Sequence, residues 1–333
     1  MKSHKHTVAI VGAGIAGLVC ARELATNGFN VVVFDKGRSP GGRTATRRAE
    51  PGFEFDHGAQ YFTARDPRFQ EVTSNWIQRN VVAEWRGRIV RHEGGVVTET
   101  SPLPRYVGTP GMSAMAADFA SELDVHSGIQ IVRISRHTTG WALTTATQDV
   151  RGPFHTLVVT LPSPQAAVLL DGHPFAALAA AVPMTPCWAV MVAFDARIKV
   201  PWDGAFVHNS PLSWVARNSS KPGRNQQTDA WVLHANADWS MSHLEQSPEN
   251  TATQLLDAFS DIAGHPLPAF RHLQAHRWRY SLGSDVTERK TLFDPESHLL
   301  VCGDWLSGGR VEGAFLSGLD AAQKIRDAAR EPC

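Results

Sequence analysis

The sequence predicts an α/β protein of two domains: a mainly parallel sheet assembled from both ends of the chain, and a second unit that roofs it. Three observations lead there. Residues 8–11 and 31–34 are short, unbroken apolar runs, which suit strands covered by helices on both faces. Two similar runs, 157–161 and 299–302, come much later and stop at turn formers, Pro162 and Gly303-Asp304. The 333 residues also exceed the roughly 250–300 at which single cores stop growing.

Between the first two runs, Ile15, Leu18, Val19, Arg22 and Leu24 have helical spacing, and Gly28 supplies a stop. The chain therefore begins with a βαβ unit. Residues 129–134 and 141–145, separated by Thr138-Thr139-Gly140, predict an antiparallel insertion. Residues 213–217 and 231–235 predict paired strands around a polar turn, 219–229. This gives residues 1–62, 110–168 and 295–333 to the parallel domain, and 63–109 and 169–294 to the roof.

Composition narrows the function classes. With 43% hydrophobic residues the chain can offset its ordering entropy. Lys plus Arg and Asp plus Glu are each 32, so no net field attracts nucleic acid or anionic lipid. Cys20, Cys187, Cys302 and Cys333 lie far apart without a zinc-ligand pattern, so neither a disulfide framework nor a metal site is expected. The polar start and the interruption of the apolar stretch 166–184 by Asp171, His173, Pro174 and Pro183 predict neither a secretory signal nor a membrane span. A cytoplasmic monomer is the expectation.

The first turn carries the chemistry. Gly12, Gly14 and Gly17 form G-x-G-x-x-G between strand and helix. Gly12 permits the tight turn, Gly14 lets the backbone approach a pyrophosphate, and Gly17 lets helix pack on strand. The phosphates then meet the positive end of the helix. Asp35, 23 residues after Gly12, is placed to accept from a ribose diol and to repel a 2′-phosphate. Strand, helix and acid are all in place, which a glycine-rich turn in an unrelated protein would not require.

Further segments favour FAD over NAD. Gly41-Gly42 allows close approach, and Arg43 is a bidentate partner for pyrophosphate. Near the C-terminus a buried strand ends at Asp304, close to where a ribityl polyol would lie. Gly308-Gly309 then turns the chain into a helix beginning near Glu312-Gly313, with Phe315, Leu316, Leu319, Ala322 and Ile325 as its apolar stripe. The N-terminus of that helix would stabilise the negative charge near N1 and O2 of a reduced flavin by up to ~2 kcal/mol.

These segments resemble the flavin-containing amine oxidase superfamily, and within it the renalase-like branch, especially its bacterial members. FDHGAQYFTARDPRF (55–69), ARNSSKPGR (216–224), AHRWRY (275–280) and GDWLSGGRVEGAFLSG (303–318) carry the narrower likeness. The resemblance implies a glutathione-reductase-like FAD-binding Rossmann domain, a mixed-sheet α+β substrate domain and non-covalent FAD. It places Gly12, Gly14, Gly17, Asp35, Lys36, Arg43, Gly58, Ala59, Gln60, Tyr61, Ile131, Asp304, Val311 and Ala314 against the cofactor. His57 departs from the pattern, standing where many relatives carry an apolar residue.

By the same resemblance, the expected reaction is oxidation of dihydronicotinamide dinucleotides reduced at the wrong ring position, with oxygen going to hydrogen peroxide. Aromatisation of the nicotinamide drives hydride transfer, so no general base is required, and no nucleophile–base pair stands out in the sequence. His234, Gln60 and Tyr61 are the expected substrate-side residues. Arg217 and Lys221 are candidate phosphate contacts, Lys221 equally a solvent-facing turn residue. Trp278 and Trp305 are either an aromatic wall or core. The main rival is an amine oxidase, many of which pair a lysine and a water beside flavin N5; Lys199, Lys221 and Lys290 are the lysines available. An isoprenoid desaturase and a non-catalytic dinucleotide-binding sensor also compete with the oxidase reading.

Overall fold

The computed structural model describes residues 6–100, 103–283 and 289–330. All four apolar runs meet in one six-stranded sheet, ordered Thr291–Asp294, Leu299–Cys302, Thr156–Val159, Thr7–Val11, Asn30–Asp35, Asp124–Ser127. Every neighbouring pair is parallel except the first, where Thr291–Asp294 runs antiparallel to Leu299–Cys302. The two ends of the chain are thus brought together by backbone pairing through Thr156–Val159.

Helices Ile15–Thr26 and Val311–Ala328 cover one face of this sheet. They approach so closely that a Cβ at Gly318 would lie 2.4 Å from the Ala16 carbonyl oxygen. The other face is closed by the antiparallel insertion, strands Ile131–His137, Gly140–Thr145 and Val150–Phe154, through Ile131, Trp141 and Leu143.

The roof is a seven-stranded mixed sheet in the order Phe270–Gly283, Met184–Phe194, Asp229–Ala235, Leu212–Arg217, Gly204–His208, Ile89–Glu93, Val96–Glu99. Only Gly204–His208 and Ile89–Glu93 pair in parallel. Helix Pro248–Ala263 lays Leu255 and Phe259 against Trp231 and Val192 on the sheet's outer face. An α/β architecture with one mainly parallel and one mixed sheet is therefore present. The segment 63–109 is shared rather than confined to the roof. Its helix Pro67–Gln78 packs Phe69 onto Phe315 of the C-terminal helix, with ring centroids 4.8 Å apart, because Phe69, Thr73 and Trp76 form a buried stripe facing that way. Among the described residues, no helix is long and apolar enough to cross a membrane.

The helix–helix contact gives the first prediction. Helix propensity favours alanine over glycine by about 1 kcal/mol. At Gly318, however, the methyl group would meet backbone, which cannot rotate away. Gly318→Ala should destabilise the protein by about 1–3 kcal/mol, seen as a lower urea midpoint. An unchanged or raised midpoint would mean that the two helices are not in tight contact.

Candidate active site

A cavity of about 1720 Å³ lies between the two sheets. Its floor contains Gly12, Gly14, Asp35, Lys36, Arg43, Ile131, Asp304, Val311 and Ala314, and its waist is the run His57, Gly58, Ala59, Gln60, Tyr61. His234, Trp214, His276 and Trp278 face it from the roof. Of the residues expected against the cofactor, Gly17 does not line the cavity, and neither do the candidates Arg217, Lys221 and Trp305. Gly17 lies beneath the turn, where a Cβ would be 2.1 Å from the Gly12 carbonyl oxygen, so its contribution is packing.

The glycine turn is built as its spacing suggests. Gly12 has φ +115°, in the region where side chains are strained. Asp35 ends its strand and ties the turn together, Oδ2 accepting from Ala13 N at 2.6 Å and Oδ1 from Gly37 N at 2.6 Å. Helices Ile15–Thr26 and Val311–Ala328 both start at the cavity, and neither has a side-chain cap at its N-terminus. Glu312, in the first turn of the second, instead accepts from Arg65 N and Asp66 N at 2.6 and 2.7 Å.

Four side chains take parts other than those expected. Arg43 does not present a free fork to pyrophosphate: it pairs bidentately with Asp304, at 2.6 and 2.9 Å, and donates to Ser281 O at 2.8 Å. The pair joins residues 261 apart in sequence and occupies the Asp304 carboxylate as well. Arg217 is not a phosphate contact. It is 1% exposed, donates to Asp229 Oδ1 at 2.5 Å and Ile198 O at 3.0 Å, and lies over the Trp231 ring. Lys221 is not on a solvent-facing turn, being 0% exposed.

Lys221 belongs to a buried cluster centred on Asp56, which sequence reasoning missed. Asp56 Oδ2 accepts from Arg224 at 2.5 Å and Lys221 at 3.2 Å, and Oδ1 accepts from Met112 N and Thr46 Oγ1, both at 2.9 Å. Burial pushes the Asp56 carboxyl up, but Lys221 and Arg224 outweigh it and hold the pKa at about 2. Burial lowers Lys221 to about 8 against the pull of Asp56. Lys221 also donates to Gln60 Oε1 at 3.1 Å, while Gln60 Nε2 donates to Asp56 O. The Gln60 amide is thus held by protein partners rather than offered to substrate. The signal was an acid set between Phe55 and His57, but its two cationic partners lie more than 160 residues away.

The roof is fastened through one carbonyl. His57 O accepts from His234 Nε2 at 3.1 Å and from Trp278 Nε1 at 2.9 Å. With Nε2 as donor, His234 presents Nδ1 as an acceptor, and burial keeps its pKa at about 4, so the ring is neutral at pH 7. Tyr61 packs against Trp214 at 5.5 Å, and Arg105 lies over its ring. Trp278 is a cavity wall, whereas Trp305 is core, donating to Leu161 O at 3.0 Å.

Comparison with known proteins decides the family. A profile of NAD(P)-binding Rossmann-like domains matches residues 10–76, and the profile of flavin containing amine oxidoreductases matches residues 64–326. The chain belongs to the flavin containing amine oxidoreductase family. FAD is accordingly the cofactor of this flavoprotein oxidoreductase. Two solved structures share the fold of this family member across its whole length. Cyclohexylamine oxidase from Brevibacterium oxydans IH-35A superposes with a TM-score of 0.79 at 13% identity, covering 98% of this chain and 100% of its own. A provisionally assigned protoporphyrinogen oxidase from Exiguobacterium sp. 255-15 gives 0.80 at 12%, covering 99% and 100%. Similarity to two of the curated relatives is short. Lysine-specific histone demethylase 1 homolog 1 of Arabidopsis thaliana is 51% identical over 45 residues, 14% of this chain and 5% of that protein. Zeta-carotene-forming phytoene desaturase of Myxococcus xanthus is 47% identical over 51 residues, 15% and 10% respectively. The matched segments span a tenth or less of these two relatives.

The residues present fit FAD. A Cβ built on Gly14 meets nothing within 4 Å, so the turn opens on free space where a side chain would obstruct a pyrophosphate. The cavity also exceeds the roughly 300–1,000 Å³ typical of a single small-ligand pocket, leaving room for the cofactor and a substrate together. Bound FAD supplies the hydride-accepting chemistry. The two uncapped helix N-termini at the cavity would hold it, beneath roof imidazoles that burial keeps neutral.

The buried cluster and the roof histidines both bear on stability. Lys221→Met should cost about 3–5 kcal/mol, because it removes one of two cations from a fully buried carboxylate; a loss below about 1 kcal/mol in urea unfolding would show that the cluster is not a joint. Burial also lowers His57 to about 3 and His276 to about 4. With His234, these rings bind fewer protons when folded than when unfolded between about pH 4 and the ordinary histidine value near 6.5. Stability should therefore rise with pH across that window and level off above it. Asp56 acts only at lower pH: its contribution is present above the unfolded carboxylate pKa near 3.9 and is lost as pH falls through about 2. His57→Leu should flatten the slope between pH 4.5 and 6.5; an unchanged slope would mean that His57 is protonated in the fold.

Proposed function

We propose that this flavoprotein is a renalase-like oxidase acting on isomeric dihydronicotinamide dinucleotides, dihydro-NAD(P) reduced at the wrong ring position. Bound FAD would accept hydride from the ring carbon, the substrate would leave as NAD(P), and oxygen would take the two electrons, the transferred hydrogen and one solvent proton to give hydrogen peroxide.

The charge pattern of the cavity carries this reading. Among the described lining residues the only carboxylates are Asp35 and Asp304, the first held by backbone N–H groups and the second by Arg43. No free anion among them faces the roof to receive an ammonium group. The only lining lysine is Lys36, beside Asp35 at the glycine turn, and Lys221 is engaged by Asp56, Gln60 and Asn218. The roof instead offers neutral imidazoles and aromatic rings, which suit a neutral, planar carboxamide-bearing ring. His234 Nδ1 accepts from the carboxamide N–H, and Tyr61, Trp214 and Trp278 exclude water from the transferring C–H. The amine oxidase reading keeps the support of the family match and of the fold shared with cyclohexylamine oxidase.

Anaerobic stopped-flow mixing with borohydride-reduced NAD separates the two. Rapid bleaching of the flavin by that isomer mixture, with no bleaching by a panel of primary and secondary amines, is the expected outcome. Bleaching by amines alone would reverse the assignment. His234→Phe should weaken apparent substrate affinity roughly five- to tenfold, the worth of one hydrogen bond, without loss of bound flavin.

A further inference from the structure

We propose that Arg47, together with His276 and His57, forms a phosphate subsite on the roof side of the cavity that grips the diphosphate of the dinucleotide substrate. The inference rests on the dinucleotide reading above and adds to it the residues that would distinguish a dinucleotide from a bare dihydronicotinamide ring.

Arg47 lies in the short strand Arg47–Ala49, paired across from Phe55, and its half-buried side chain lines the cavity. Its neighbours on the cavity have carboxylate partners: Arg43 pairs with Asp304, Arg48 with Glu54, and Arg277 and Arg279 share Glu245. Among the described residues Arg47 has no carboxylate within 4.0 Å, and its one hydrogen bond goes to His276 Nδ1 at 3.3 Å. Arg38 and Arg310 are likewise without a carboxylate, but they follow Asp35 and precede the C-terminal helix, beside the expected cofactor. An unpaired guanidinium in a partly desolvated wall is a poor arrangement unless an anion completes it.

The two imidazoles supply the rest. His276 accepts Arg47 through Nδ1, so its proton is on Nε2, leaving a second donor. His57 is only 4% exposed; its ring lies 4.8 Å from those of His276 and Trp278, and its buried Nδ1 has no hydrogen-bond partner among the described residues. Both rings are kept uncharged, by burial first and then by neighbouring charges that include Arg47. They therefore add hydrogen-bonding capacity beside the guanidinium without adding like charge. One fixed cation beside neutral imidazoles suits a phosphoanion and repels an ammonium group. The FAD diphosphate would have its own place at Gly12, Gly14 and the start of the first helix.

The test uses FAD-saturated enzyme, wild type and Arg47→Met, with Arg47→Lys as the charge-keeping variant should the methionine protein fail to fold. ADP-ribose, which carries the diphosphate but no reducible ring, is titrated while the flavin absorbance is followed. Losing one charge-assisted contact should weaken its binding by about 10- to 100-fold. The KM for borohydride-reduced NAD should rise similarly, with the limiting rate of flavin reduction unchanged. Reduction by 1-methyl-dihydronicotinamide, which has no phosphate, should be the same in both proteins. Equal ADP-ribose binding by the two proteins, equal impairment with both ring donors, or loss of FAD from the variant would overturn the proposal. If no dihydronicotinamide bleaches the flavin but ADP-ribose binding still depends on Arg47, the oxidase reading fails and the phosphate subsite stands.

Discussion

A carboxylate removed from water between two cations joins the halves of this molecule. Asp56 receives Thr46 and Met112 from the side of the glycine turn, and Lys221 and Arg224 from a loop of the roof. Desolvation alone would drive such a group to its neutral form; two cations and two further donors keep it charged. The next residues along the chain, His57 to Tyr61, form the waist of the cavity. The cavity wall is thus built onto the joint, and Gln60 is part of both.

The second joint is the Arg43–Asp304 pair, which ties the segment after the first βαβ unit to the start of the C-terminal turn. Parallel pairing through Thr156–Val159 has already brought those segments together, so the ion pair sets orientation more than proximity. Both joints place charged groups around the cavity while satisfying them internally.

Histidines decide the character of the roof. Burial holds His57, His234 and His276 well below the ordinary imidazole value, and the His57 carbonyl fixes His234 in one tautomer. A roof of fixed, neutral imidazoles and aromatic rings gives direction without a strong field, which suits a reaction whose electron chemistry belongs to the cofactor. Beside these rings, Arg47 is a lining guanidinium with no carboxylate partner among the described residues.

What the chain determined by itself was everything encoded locally. Gly12, Gly14 and Gly17 act within a single strand–turn–helix, Asp35 follows at the end of the next strand, and Val311 and Ala314 begin an amphipathic helix whose stripe is visible in its spacing. Apolar runs showed which strands are buried on both faces. Only the tertiary structure decided which charges meet. Arg43 found Asp304, Arg217 found Asp229, and Lys221 turned inward to Asp56 and Gln60. Nothing adjacent to these residues records such partners, because an ion pair depends on through-space distance and desolvation, and both are set only when segments far apart in sequence close over the same cavity.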